Sequence, residues 1–210
     1  MPKIEPFEKF TLLYEKWFEK HSKLYGAEIK AIKELLPYFE KGIEIGVGSG
    51  RFALPLGIKV GVEPSDKMAK IANLKGIKTV KAVAENLPFS DKSFDLALMV
   101  TTICFVGDPL KSLKEVWRIL KPKGFIIIGF VDKKSTLGKL YEKQRKESKF
   151  YKEATFFSTD EILSLLKGVG FGDCKIKQTL FGEDLEHMQT YIKNGYGKGA
   201  FIVIRCQKSA

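Results

Sequence analysis

Five short β-branched runs, at residues 42–45, 59–63, 78–83, 94–100 and 125–131, are separated by helical patterns or turns, and this alternation constrains the fold most. Parallel neighbours need a connection long enough to return across the sheet, so strand-helix-strand repeats build a parallel sheet with crossover helices. The best-signalled crossover follows the fourth run. Asp108 offers an N-cap and Pro109 the first helical position, and Leu110, Leu113, Val116, Trp117 and Leu120 supply a buried stripe before Pro122-Lys123-Gly124 turns the chain.

Ahead of the first strand, Phe7, Phe10, Tyr14, Trp17, Phe18, His21 and Tyr25 recur mainly at spacings of three and four, which predicts one helix with an aromatic face over 7–25. A second helix over 27–36 carries Ile29, Ile32, Leu35 and Leu36 and stops at Pro37. Beyond the fifth strand, 135–151 reads as a polar helix or lid-like insertion, and Ser158-Thr159-Asp160-Glu161 as a capping box opening a helix through Leu166. Two last strands, 174–181 and 200–206, joined by a polar, glycine-bearing segment, are expected to pair antiparallel. The expected fold is therefore α/β: a doubly wound, mostly parallel seven-stranded sheet with an antiparallel C-terminal hairpin. Residues 1–40 are expected to form a helical lid over the α/β domain of 41–210.

Composition narrows the function classes. No run of ~18 apolar residues exists, so no membrane span is expected, and the charged N-terminus MPKIEPFEKF lacks the apolar core of a signal peptide, which points to the cytoplasm. Cys104, Cys174 and Cys206 are odd in number, far apart and form no Cys-x-x-Cys pair, so neither a disulfide nor a zinc site is expected. His21 and His187 have no partners at ligand spacing, and no metal is expected. The net charge of +11 comes from lysines spread along the chain, which implies a solvated basic face, with attraction for nucleic acid as the sharper alternative. Asn and Gln total seven while Lys and Glu abound, a composition like that of thermophile proteins.

The segment Glu44-Ile45-Gly46-Val47-Gly48-Ser49-Gly50 follows the first strand directly. Its glycines allow positive φ and close approach of a ligand to the backbone. A dinucleotide fingerprint needs Gly-x-Gly-x-x-Gly; here the third glycine comes one residue early and Arg51 stands where that pattern requires glycine. Glu44 would repel a pyrophosphate but accept hydrogen bonds from an ammonium group. At the end of the second strand, Glu63 can accept from two ribose hydroxyls. A nucleoside joined to an amino acid satisfies both ends, and S-adenosylmethionine is such a molecule.

The residues from Gly42 to Ala53, then Gly61-Val-Glu-Pro64, Ala84-Glu-Asn-Leu-Pro-Phe89, Ser93-Phe-Asp-Leu96 and Glu115 to Gly124, resemble the successive motifs of class I S-adenosylmethionine-dependent methyltransferases. The nearest type is the small-molecule group that includes quinone-biosynthesis C-methyltransferases, and the resemblance spans 42–131. It implies that Glu44, Gly46, Gly48 and Gly50 line the methionine side and that Glu63, followed by Pro64, holds the ribose. It also implies that Ser65 and Met68 border the adenine, that Ala84, Glu85 and Asn86 form its other wall, and that Thr101 lies near the methionine end. Val83 stands where family members often carry Asp, leaving Glu85 or Asn86 to accept from the adenine amino group. The implied reaction is in-line transfer of a methyl group to a small-molecule acceptor, with an RNA acceptor or a non-catalytic nucleic-acid-binding module as alternatives. No catalytic residue is dictated; Tyr14, His21 and Tyr25 are the nearest candidates for a base. The segment after the fourth strand, Val100-Thr-Thr-Ile-Cys-Phe105, lacks the Asn/Asp-Pro-Pro-aromatic pattern of amino methylation on DNA bases.

Overall fold

The computed structural model describes residues 3–209. Its strands are β1 (Gly42–Ile45), β2 (Val60–Val62), β3 (Lys78–Val80), β4 (Phe94–Val100), β5 (Leu120–Val131), β6 (Phe171–Thr179), β7 (Lys193–Asn194) and β8 (Phe201–Lys208). They form one sheet in the order β3-β2-β1-β4-β5-β8-β6-β7. The first five are parallel, and β8 inserts antiparallel between β5 and β6. The expected doubly wound sheet with its antiparallel end is present, and the two-residue β7 extends its edge. Strand order reverses between β1 and β4, which opens a crevice at their carboxyl ends.

Alternation along the strands builds two cores. Leu96, Leu98 and Val100 of β4 join Ile127 of β5 on one face, while Ala97 and Met99 join Ile126 and Ile128 on the other. The helices are α1 (Glu5–Lys9), α2 (Thr11–Lys20), α3 (Ser22–Lys33), α4 (Asp66–Leu74), α5 (Pro109–Ile119), α6 (Thr136–Lys143) and α7 (Thr159–Val169). Leu24, Ala31 and Ile32 of α3 pack on the first face, and Leu113, Val116 and Ile119 of α5 with Ile162 and Leu166 of α7 on the second. Asp108 caps α5 by accepting from the Lys111 amide at 2.9 Å, and Ser158 and Glu161 close the capping box of α7.

Two expectations are corrected. The aromatic stripe over 7–25 is cut into α1, α2 and the start of α3, with joints at Phe10 (φ −118°) and His21 (φ −109°). Neither joint carries proline or glycine, so spacing alone does not reveal the bends, and α3 passes through Gly26 instead of starting after it. Second, Cys174 and Cys206 form a disulfide, with Cα atoms 4.1 Å apart. Antiparallel pairing sets the start of β6 against the end of β8, and the register shift between Gly172 and Lys175 places Cys174 against Cys206. The odd cysteine is Cys104, in the turn after β4.

Candidate active site

The chain leaves β1 through Gly46, whose φ of +71° and close approach to Thr102 both exclude a side chain: a Cβ there would lie 2.4 Å from the Thr102 methyl. Gly50, at φ +82°, is required for another reason. A Cβ there would meet Ile77 at 2.4 Å, so Gly50 serves packing beneath the loop and does not line the crevice.

Glu63, directly after β2, bridges the glycine loop after β1 and the turn that leads into α4. One carboxylate oxygen accepts from the Gly48 amide at 2.7 Å and the other from the Ser65 amide at 2.9 Å. The side chain is 6% exposed, and desolvation pushes its pKa up to about 7 against the opposing pull of the Ser65 and Gly48 amides.

The crevice brings together Gly46, Gly48, Glu63, Pro64, Met68, Ala84, Glu85 and Thr101, all expected from sequence, and adds Lys3, Ile4, Phe7 and Phe105, which were not. Glu44, Ser65 and Asn86 do not line it. Glu44 is fully buried in β1; burial raises its pKa well above the ordinary value, a hydrogen bond donated by the Ala53 amide opposes this, and its Oε2 has no partner among the described residues. Ser65 caps α4, and the exposed Asn86 closes a turn onto the Val83 carbonyl. In Glu85, one oxygen accepts from the amides of Gly107 at 2.6 Å and Asp108 at 3.1 Å, while Oε2 has no partner among the described residues. This wall is clamped from α5: Arg118 donates to Leu87 O, Phe89 O and Asp91, and Glu115 accepts from the Leu87 amide at 2.8 Å. The Glu115-Val-Trp-Arg118 motif thus supports the crevice from behind.

Two carboxylates tie the N-terminal helices to the loops that border the crevice. Glu8 accepts from Ser65 Oγ at 2.6 Å, and Glu15 accepts from Ser49 Oγ and from Arg51 at 2.6 Å. Of the three residues considered as bases, only Tyr14 reaches the crevice. Its hydroxyl stands 3.6 Å from where a Gly48 Cβ would be, and burial, followed by the charges of Glu44 and Glu63, raises its pKa. His21 sits at the α2–α3 joint against the Trp17 ring, and the Tyr25 hydroxyl donates to the Arg51 carbonyl. Neither lines the crevice.

A second cavity of about 110 Å³ adjoins the first and shares Phe7, Tyr14, Thr101 and Phe105 with it. Thr101 holds φ +51°, an uncommon conformation for a β-branched residue, and its amide donates to Gly129 O at 2.7 Å. The other walls are Trp17, Phe18, Phe52, Tyr141, Phe150 and Tyr151, with Leu24, Val131, Leu137, Leu180 and Leu185. Glu28 is the only charged residue among them. It is 5% exposed, and desolvation pushes its pKa up to about 8. Glu28 is not among the residues expected from sequence, although its spacing from Leu24 and Ile32 puts it on the buried stripe of α3.

Residues 43–128 match a family described as a methyltransferase domain. A Thermotoga maritima structure described as an S-adenosylmethionine-dependent methyltransferase, possible histamine N-methyltransferase, is 51% identical with a TM-score of 0.95; the match covers 99% of this chain and 100% of that one. An uncharacterized protein of Methanocaldococcus jannaschii is 45% identical over 202 residues, 96% of this chain and 98% of that one. A demethylmenaquinone methyltransferase of Staphylococcus epidermidis is 27% identical over 192 residues, covering 76% of this chain and 78% of that protein.

Proposed function

The chain belongs to the class I S-adenosylmethionine-dependent methyltransferases, and from that premise we propose that it methylates a small molecule held in the aromatic cavity beside the cofactor crevice. The continuity of crevice and cavity through Phe7, Tyr14, Thr101 and Phe105 carries the proposal, because methyl transfer needs donor and acceptor to meet in line. S-adenosylmethionine supplies a methyl group on a sulfonium, which leaves as a neutral thioether.

The crevice residues fit that cofactor. The orphaned Oε2 of Glu85, which lines the crevice, is an acceptor that suits the amino group of an amino-purine. Glu63 holds the ribose hydroxyls with the lone pairs its two amide bonds leave free. Residues 1–40 act as the lid: Glu8 and Glu15 fasten it to both cofactor loops, and Tyr14 closes off water at the junction with the second cavity. Holding nucleophile, methyl carbon and sulfur collinear contributes up to ~7–11 kcal/mol, so a dedicated base is optional.

Size supports a small acceptor. A volume of about 110 Å³ is on the scale of one small ring, given that a roughly 150 Å³ cavity takes benzene. The Thermotoga maritima relative's description as a possible histamine N-methyltransferase points the same way, toward a ring of that size bearing an amine. Against this stands the net charge of +11, which would serve an RNA acceptor. Incubation with methyl-labelled S-adenosylmethionine and either single-ring amines and phenols or bulk RNA separates the two: label in the small molecules is expected, and label in RNA alone would overturn the proposal.

A further inference from the structure

We infer that Glu28 is the polar anchor of the acceptor cavity and that the acceptor is a small aromatic molecule bearing a cationic nitrogen. The inference rests on the reading of the second cavity as the acceptor site. Glu28 projects from α3 into a wall otherwise built of aromatic and aliphatic groups and Thr101. It enters no salt bridge and no hydrogen bond among the described residues. A buried carboxyl without a partner is costly to retain, and the surrounding structure offers no protein cation to offset it. The aromatic rings of Trp17, Phe18, Tyr14 and Phe150 line the same cavity, and aromatic rings attract cations through their quadrupoles. One carboxylate within an aromatic cage is the complement of an ammonium or imidazolium group.

The titratable groups that sense Glu28 are Tyr14 on α2, Tyr25 on α3, Tyr141 on α6 and Tyr151 in the loop beyond α6. Among the described residues, no lysine, arginine or histidine lines the cavity. With its pKa near 8, Glu28 is mostly protonated at pH 7 while the cavity lacks a cation. A cationic ligand favours the carboxylate, so its entry expels the Glu28 proton to solvent: R–NH3⁺ and the carboxylic acid become an ion pair and one H⁺.

The test uses the full chain saturated with S-adenosylhomocysteine, titrated with 2-phenylethylamine and, as its uncharged counterpart, 2-phenylethanol. Calorimetry at pH 7 in two buffers of different ionisation enthalpy is expected to show at least tenfold preference for the amine and release of up to one proton. E28Q is expected to lose both while keeping its S-adenosylhomocysteine affinity within twofold, which also reports that it folds. Wild-type protein that binds both probes equally, or binds the amine without releasing a proton, overturns the role of Glu28 and leaves the cavity reading intact. E28Q that retains the amine preference does the same. Wild-type protein that binds the adenosyl compound but neither probe overturns the acceptor-cavity reading together with this one.

Discussion

The carboxylate of Glu15 on α2 holds the guanidinium of Arg51, the residue directly after the glycine loop, at 2.6 Å, so the N-terminal helices are fastened to the turn proposed to receive the cofactor. Lys75 adds a longer contact at 3.4 Å, and Ser49 donates to the same carboxylate. The Arg51 and Glu15 side chains keep 22% and 17% of their surface exposed, so solvent screening limits the pair to roughly 1 kcal/mol of stability. Glu15→Ala is expected to lower Tm by about 2–4 °C and to weaken S-adenosylhomocysteine binding severalfold, measured by scanning fluorimetry and calorimetry. Burial pushes the Glu15 pKa up, but hydrogen bonds from Ser49 and Arg51 outweigh it and hold it below 4.5. The stabilisation is therefore complete above pH 4.5 and is lost as pH falls through the depressed value. A variant with unchanged cofactor affinity would remove the lid from cofactor binding.

Glu63 gives a second pH signature, in affinity. On the proposed role of Glu63, only the carboxylate form can accept from two ribose hydroxyls while satisfying the Gly48 and Ser65 amides. With a pKa near 7, wild-type affinity for S-adenosylhomocysteine is expected to rise between pH 5.5 and 7.5. Glu63→Gln is expected to bind at least ~10-fold more weakly at pH 8, since hydrogen bonds to a charged group contribute about 1.5–3 kcal/mol each, and its affinity should not vary over that range. Calorimetry across pH reads both effects, and a pH-dependent E63Q would assign the titration elsewhere.

The disulfide closes a segment with a sequence separation of 32 residues. On the chain-entropy account this stabilises by roughly 3–4 kcal/mol, equivalent to about 6–16 °C in Tm. A Cys174→Ser and Cys206→Ser double variant, or the reduced wild type, is expected to melt lower by that order with cofactor binding retained, because both cysteines lie far along the sheet from the crevice. Equal melting temperatures with and without reductant would show that the bond does not stabilise the fold.

Glu28 carries a stability cost of defined sign. Its folded pKa of about 8 exceeds the unfolded value of 4.5, so the folded state binds the extra proton, and wild-type stability falls as pH rises from 4.5 through 8. Without ligand, Glu28→Gln is expected to match wild type near pH 4.5 and to exceed it above pH 8 by at least ~1 kcal/mol, or about 2–4 °C. A melting curve series against pH checks this, and a variant less stable than wild type at pH 9 would show that Glu28 makes a favourable bond in the fold.

The parts legible from sequence were those with local grammar. The glycine loop, Glu63 at its strand end and the cap-and-proline start of α5 each follow from backbone conformation or hydrogen bonding within a few residues. The second cavity follows from no such rule. Tyr141, Phe150, Tyr151, Leu180 and Leu185 reach it from separate segments with no shared spacing, and only tertiary structure brings them together. Glu28 was masked because a charge on an amphipathic helix normally marks the wet face. The disulfide was hidden for a different reason: counting cysteines ignores register, whereas aligning the two expected antiparallel strands end to start would have paired Cys174 with Cys206.

One continuous path leads from the glycine loop, past Tyr14 and Thr101, into the aromatic cavity. A crystal structure of the protein soaked with S-adenosylhomocysteine tests it most directly. Both ribose hydroxyls are expected within hydrogen-bonding distance of Glu63, with the sulfur at the junction formed by Tyr14, Thr101 and Phe105, facing Glu28 across the cavity. Electron density for the adenosyl compound elsewhere, or with its sulfur turned away from that junction, would contradict it.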